Sequence, residues 1–235
     1  MDVRLGSTII SPEQLDREVK VLLSKLRLAN DIGEDATSLF FSARDLLEAY
    51  WEETERTHRT RFQNDDLLAR FLDEPSIWVL AGIPGSGKTT LAAATARRGR
   101  VCLSIDAIRE ELGLAFGRPD WVRVAYDELF RRLRATSEPR VLLDSSGVYT
   151  LLRRRAISWA RHRNVPARLI IVATPPRTAF ARGRTYGQPD GAAFSLWLLY
   201  SLCRQIPEFS REGFTSLHWL DLEGQGRLIQ ACTAA

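Results

Sequence analysis

The stretch Ile77-Trp78-Val79-Leu80-Ala81-Gly82-Ile83-Pro84-Gly85-Ser86-Gly87-Lys88-Thr89-Thr90 decides the reading of this chain, because an apolar run leads straight into the pattern G-x-x-x-x-G-K-[ST] at residues 82–89. Leu91-Ala92-Ala93-Ala94-Thr95-Ala96 follows with helix-forming composition. Glycines at 82, 85 and 87 let the backbone turn its N–H groups inward around a phosphate, and the helix behind them points its positive end at the same anion. In that arrangement Lys88 reaches the β- and γ-phosphates of a nucleoside triphosphate and the Thr89 hydroxyl ligates Mg²⁺. Gly82, Pro84, Gly85, Ser86, Gly87, Lys88, Thr89 and Thr90 are therefore the candidate nucleotide-binding residues, with Lys88 also a candidate catalytic residue.

Outward from this loop, toward the C-terminus, apolar runs alternate with helical stretches. Strands are expected over Ile77–Ala81, Val101–Ile105, Arg140–Leu143, Leu169–Ala173 and Ser216–Leu222. Helices are expected over Lys88–Arg98, Ile108–Ala115, Trp121–Thr136, Leu151–Arg163, Thr178–Arg184 and Ala192–Gln205. Five strands alternating with helices predict an α/β fold, a doubly wound parallel five-stranded P-loop NTPase sheet, with ligands at the carboxyl ends of the strands. Toward the N-terminus the pattern is helical only: residues 11–30 open on Ser11-Pro12-Glu13, and further stretches cover Ala36–Thr57 and Asp65–Leu72. Residues 1–75 thus read as an α-helical N-terminal appendage and 76–235 as the P-loop domain, the boundary falling at Asp73-Glu74-Pro75.

Composition supports an ordinary globular chain of 235 residues, 45% hydrophobic and 26% charged. No apolar run approaches the roughly 20 residues that span a bilayer, and no secretory signal opens the sequence, so no membrane association is expected. Cys102, Cys203 and Cys232 are widely spaced and odd in number, as suits free thiols in a reducing cytoplasm, and with His58, His162 and His218 they form no metal-binding pattern. The net charge of +4 conceals an asymmetry: residues 1–75 carry 10 basic and 16 acidic side chains, which leaves 23 basic and 13 acidic beyond them. Arginine makes up 30 of the 33 basic residues. That bias is what a phosphate-rich partner would select, and equally what an arginine-favouring genome would produce.

The other strand ends discriminate among nucleotide-binding classes. Ser104-Ile105-Asp106-Ala107-Ile108-Arg109 puts a carboxylate where a helix begins and an arginine one turn later on the same side. Asp106 at that point can accept the proton of an attacking hydroxyl while Arg109 holds an anionic acceptor; an N-cap and a solvated side chain are the plainer alternatives. Val141-Leu142-Leu143-Asp144 closes on a carboxylate that would hold Mg²⁺ beside Thr89, unless it caps the next helix. Asp144-Ser145-Ser146-Gly147 also fits the D-x-x-G of GTPases, but the lysines at 20, 25 and 88 leave no [NT]-K-x-D for guanine. After the fourth strand, Arg177, Arg182 and Arg184 form an arginine-rich turn suited to a lid that neutralises charge developing in phosphoryl transfer, or to a plain surface helix.

Taken together, the G-x-P-G-S-G-K-T loop at 82–89, Ser104-Ile105-Asp106-Ala107-Ile108-Arg109-Glu110-Glu111-Leu112, Leu143-Asp144-Ser145, Arg153-Arg154 and Glu212-Gly213-Phe214 resemble the P-loop kinases of the polynucleotide kinase type, in their AAA-domain and zeta-toxin-like branch. The resemblance covers residues 77–222 and implies ATP as donor with Mg²⁺, Asp106 as general base for a polynucleotide 5′-OH, Arg109 on the acceptor's phosphate and Arg182 as a catalytic lid arginine. The spacing of Arg182-Gly183-Arg184 departs from the family's lid pattern. No D-x-D-x-T phosphatase or K-x-D-G ligase signature accompanies it, so a lone kinase module is expected. The function expected is ATP-dependent transfer to a hydroxyl, foremost a nucleic-acid 5′-OH at the basic kinase face. Kinases of the same scaffold acting on a nucleotide-sugar, an antibiotic or a metabolite are the alternative, and an NTP-gated interaction protein is the non-catalytic one. The acidic appendage would dock on the basic face, recruit a protein partner or shape acceptor choice.

Overall fold

The computed structural model describes residues 3–5, 8–31, 37–62, 67–115, 120–182 and 189–233. In chain order the elements are β1 (Val3–Leu5), β2 (Thr8–Ile10), α1 (Pro12–Asp31), α2 (Thr37–His58), a 3₁₀ turn (Arg59–Arg61), α3 (Leu67–Asp73), β3 (Ser76–Ala81), α4 (Lys88–Ala96), β4 (Val101–Ser104), α5 (Ile105–Glu111) and α6 (Trp121–Ala135). They continue with β5 (Arg140–Asp144), α7 (Thr150–Arg163), β6 (Ala167–Val172), α8 (Pro176–Arg182), α9 (Pro189–Phe209), β7 (Ser216–Leu220) and α10 (Leu222–Thr233). All five expected strands form. The expected starts at Ala36 and Asp65 lie outside the described residues, as do Gly183 and Arg184. The β1–β2 hairpin, antiparallel with Val3 opposite Ile10, and α10 were not among the expected elements. Gly224 and Gly226 break up the periodicity of α10, which has Gln225, Leu228 and Cys232 on its buried side.

Two compact units result: a helical one from residues 1–61, 83–86 and 175–207, and a sheet unit from 62–82, 87–174 and 208–235. They divide elsewhere than at residue 75/76. α3 packs into the sheet unit, where Phe71 meets Trp78 edge-on at 5.0 Å, whereas α8 and most of α9 pack with α1 and α2.

The sheet is wholly parallel, in the order β4-β5-β3-β6-β7. Side chains alternate across it. Trp78, Leu80, Leu142, Ile170, Val172 and Leu220 face a core shared with Phe71, Leu91 and Leu228 of α3, α4 and α10. Ile77, Val79, Val141, Leu143, Leu169 and Ile171 are equally buried, and their strands read as near-continuous apolar runs because helices cover both faces. Several buried polar groups of the sheet unit are tied across the sequence. Arg168 donates to both Glu74 oxygens and to the Ser216 hydroxyl, and Arg100 donates to Phe71 O at 2.7 Å and Ser76 O at 3.0 Å, pinning the end of α3. Buried Arg153 of α7 forms a bidentate pair with Glu212, both bonds 2.7 Å, donates to Gly147 O and lies 4.7 Å over the Phe209 ring.

In the helical unit Leu15, Val19 and Leu26 of α1, Leu47 and Trp51 of α2, and Leu196, Leu199 and Cys203 of α9 form the interior. Its charges pair across sequence. Asp16 of α1 accepts from Tyr200 and from Arg204 at 2.8 Å, and Glu48 of α2 accepts from Arg177 of α8 at 2.5 Å. Part of the acidic excess of the first 61 residues is thereby matched by arginines of α8 and α9.

Candidate active site

β3 leaves the sheet at Ala81 and the chain turns through residues 82–87 before α4 begins at Lys88. Gly85 and Gly87 adopt φ of 77° and 100°, a left-handed conformation that side chains resist. A Cβ on Gly87 would in addition lie 2.7 Å from Gln225 Oε1. The tip of the turn, Ile83–Ser86, groups with the helical unit; Ser86 is buried there and its N–H donates to Ile83 O at 3.2 Å. Gly82 N–H donates to Ser146 O at 3.0 Å, and Gly147, with φ 71°, packs so closely on Ala81 that a Cβ would come within 2.5 Å of its side chain. The loop is thus braced from behind by the chain that follows β5. Thr90 stands exposed in the first turn of α4.

Direct pairing of β5 with β3 brings Asp144 to the phosphate loop. Asp144 is 3% exposed, and one of its oxygens accepts from the Thr89 hydroxyl at 3.0 Å. Asp144 therefore does not cap α7, whose N-cap is Tyr149. Burial pushes its carboxyl above the ordinary carboxylate range, against the pull of the Lys88 ammonium and the Thr89 hydrogen bond. The same burial pulls Lys88 below its ordinary value, while Asp144 and Asp106 oppose the shift. Further charge of the right sign beside Lys88 and Asp144 would offset their burial and favour the ionised form of each. A triphosphate supplies it for Lys88. Two hard oxygen donors converging at Thr89 and Asp144 fit Mg²⁺, which takes few protein ligands and completes its shell with phosphate oxygens and water. Among the described residues no cluster of three His, Cys, Asp or Glu forms a larger metal cage.

The charge of Asp106, on α5, also acts on Lys88. Ser104, not Asp106, caps α5, its hydroxyl 3.5 Å from the Ala107 N–H, so the Asp106 carboxylate stays 57% exposed. Arg109 lies 3.8 Å from it and is 18% exposed; it donates to Leu114 O at 3.3 Å and pairs with Glu110 at 3.2 Å. It is therefore a partnered, oriented guanidinium rather than a solvated one. Tyr126 of α6 is buried and packs edge-on against Tyr149 at 5.1 Å.

The sheet unit thus gathers Lys88, Thr89, Asp106, Arg109 and Asp144. Arg182 ends α8 in the helical unit and is exposed, and Arg184 lies outside the described residues. Sequence reading missed Ser104, Tyr126 and Gln225. Gln225 could have been found only through α10, whereas Ser104 carried a signal, a serine three residues before the N–H it caps.

A phosphate loop at the end of a parallel strand, with one carboxylate bonded to the loop's threonine and the charge of a second acting on its lysine, makes a P-loop scaffold. The chain belongs to the AAA domain family, whose model matches residues 77–195. No curated protein sequence matches it significantly. Among solved structures it is similar to a gluconokinase from Sinorhizobium meliloti 1021, at 16% identity and TM-score 0.45 over 68% of this chain and 90% of that one. It is also similar to the shikimate kinase from Acinetobacter baumannii in complex with shikimate (18%, 0.45, 69% and 92%) and to the tunicamycin resistance protein of Deinococcus radiodurans (18%, 0.37, 68% and 94%). No helix among the described residues is long and apolar enough to cross a membrane.

Proposed function

We propose that this protein transfers the γ-phosphoryl group of ATP to a hydroxyl of a small anionic acceptor. The observation that carries the reading is the exposed Asp106 carboxylate next to Lys88, an open base in a site whose other carboxylate is committed to Thr89. The P-loop amides and Lys88 hold the triphosphate, and Thr89 with Asp144 would hold Mg²⁺, which screens the phosphate charge. Arg109 orients the acceptor through an anionic group, and Asp106 takes the proton as the acceptor oxygen bonds to phosphorus and the bond to the β,γ-bridging oxygen breaks. One enclosed guanidinium 3.8 Å from the base suits a compact acceptor carrying a single carboxylate or phosphate. The surplus of 23 basic over 13 acidic residues beyond residue 75 favours a second reading, in which the hydroxyl is a polynucleotide 5′-OH.

γ-Labelled ATP with magnesium, offered a panel of phosphorylated and carboxylated alcohols beside 5′-OH oligonucleotides, decides between them. Transfer to a small alcohol, abolished by both Lys88→Ala and Asp106→Asn, is the expected result. Transfer to oligonucleotides alone would select the second reading. Activity that survives Asp106→Asn but not Lys88→Ala would replace chemistry by nucleotide-gated binding.

A further inference from the structure

Helix α7 carries Arg153, Arg154, Arg155, Arg161, His162 and Arg163 in 14 residues and no carboxylate at all. Arg153 is spent on Glu212 inside the molecule. The other five basic side chains are exposed, and none of them has an ion pair among the described residues. The neighbouring helix differs. On α6, Arg131 and Arg132 share Glu128 at 2.6 and 2.8 Å, and Arg132 also takes Glu111 of α5. An arginine-rich composition by itself would leave both helices alike.

Basic residues in the last turn of a helix complement its dipole, which accounts for Arg161, His162 and Arg163 without a ligand. It does not account for Arg154 and Arg155, in the half of α7 where the dipole disfavours positive charge. Their neighbours hold the arginines apart: Arg155 lies 5.8 Å over the Phe130 ring, and Arg163 donates to Thr136 O at 2.7 Å at the end of α6. Arg154 and Arg161 are seven residues apart, two turns along one face, hence about 10 Å along the axis. That separation equals roughly three nucleotides of a stacked strand at about 3.4 Å each.

We propose that the solvent face of α7 is a docking surface for a nucleic-acid strand, bound through its phosphates. A membrane fits poorly, because the apolar side of α7 is buried against the sheet and only Leu151, 57% exposed, adds a large apolar group to the outer face. Forked guanidiniums in a row match successive phosphates better than a scattered acidic peptide. None of these basic residues belongs to the phosphate loop or is assigned to the acceptor, so the proposal does not depend on which acceptor the kinase site takes.

Fluorescence anisotropy with the full-length protein and labelled 20-nucleotide oligo-dT and oligo-rU tests it. Binding is expected at low salt, weakening as salt rises with a log–log slope of about −3, as roughly four neutralised single-strand phosphates require. Arg154→Glu with Arg161→Glu should weaken binding at least tenfold and flatten the slope, as should the milder Gln pair if the Glu pair unfolds. Arg227→Glu on α10, the same type of charge reversal elsewhere, should change it less than twofold. Lys88→Ala, which removes transfer if the proposed function holds, should bind the strands as the unaltered protein does, so the two proposals fail separately. The two oligonucleotides tell DNA from RNA. Absence of binding at 50 mM salt, equal loss from the α7 and Arg227 variants, or binding to phosphatidylserine vesicles without binding to oligonucleotides would overturn the proposal.

Discussion

The two units of this protein hold their charges in opposite ways. In the sheet unit, buried guanidiniums are joined over long sequence distances: Arg153 on Glu212, Arg168 on Glu74, Arg100 on carbonyls of α3. In the helical unit the long-range pairs sit nearer solvent, with Arg177 73% exposed over Glu48 and Arg204 48% exposed over Asp16. The first kind strands a buried guanidinium when its carboxylate is lost; in the second, water can replace the carboxylate on the exposed arginine.

The largest expected effect lies in the sheet unit's chemistry. Asp106→Asn, which keeps size and removes the base, should lower the transfer rate about 10²–10⁴-fold with little change in melting temperature. Steady-state kinetics beside thermal melts test this, and a matched loss of stability would mean Asp106 is structural. Next comes Arg153→Ala, which strands Glu212 and the Gly147 carbonyl and should cost about 3–5 kcal/mol in denaturant unfolding. A cost below about 1 kcal/mol would erase the contrast drawn between the units.

Smaller effects belong to the helical unit. Glu48→Gln should cost about 1 kcal/mol or less, since its partner is largely solvated, and hydrogen exchange of α2 and α8 peptides would locate the loss. Alkaline titration sharpens the comparison further. Burial raises the Cys203 thiol from 9.0 to about 12, and burial raises the Tyr50 hydroxyl from 10.0 to about 12. Both groups stay neutral when folded and ionise first in the unfolded chain, so the stability they support is complete below pH 9 and falls away as pH rises toward 12. Helix content followed by circular dichroism should decline over that window, and Cys203 should react with a thiol reagent at pH 8 far more slowly than an exposed cysteine.

Much of the sheet was legible because each strand is a short apolar run closed by a chemically distinct residue, and helices on both faces make those runs continuous. Asp144 was legible as a strand end and Asp106 as the start of the helix after one. What each carboxylate does was open to capping until Ser104 and Tyr149 were found in the capping positions. α10 was hidden by two glycines, and with it Gln225. The division into units was not legible, because α8 follows β6 in the chain as any crossover helix would, while its packing partners lie more than 100 residues earlier.

By itself the sequence determined the phosphate loop, the parallel sheet and the identity of the two carboxylates, since these rest on local spacing and on the conformational freedom of particular glycines. Only the tertiary structure decided that Asp144 is tied to Thr89 and Asp106 is open, that Arg153 is buried while Arg154 and Arg161 face solvent, and that α8 packs with α1 and α2. Those outcomes depend on which surfaces meet, and burial sets the energy of a charge far more strongly than its neighbours along the chain do.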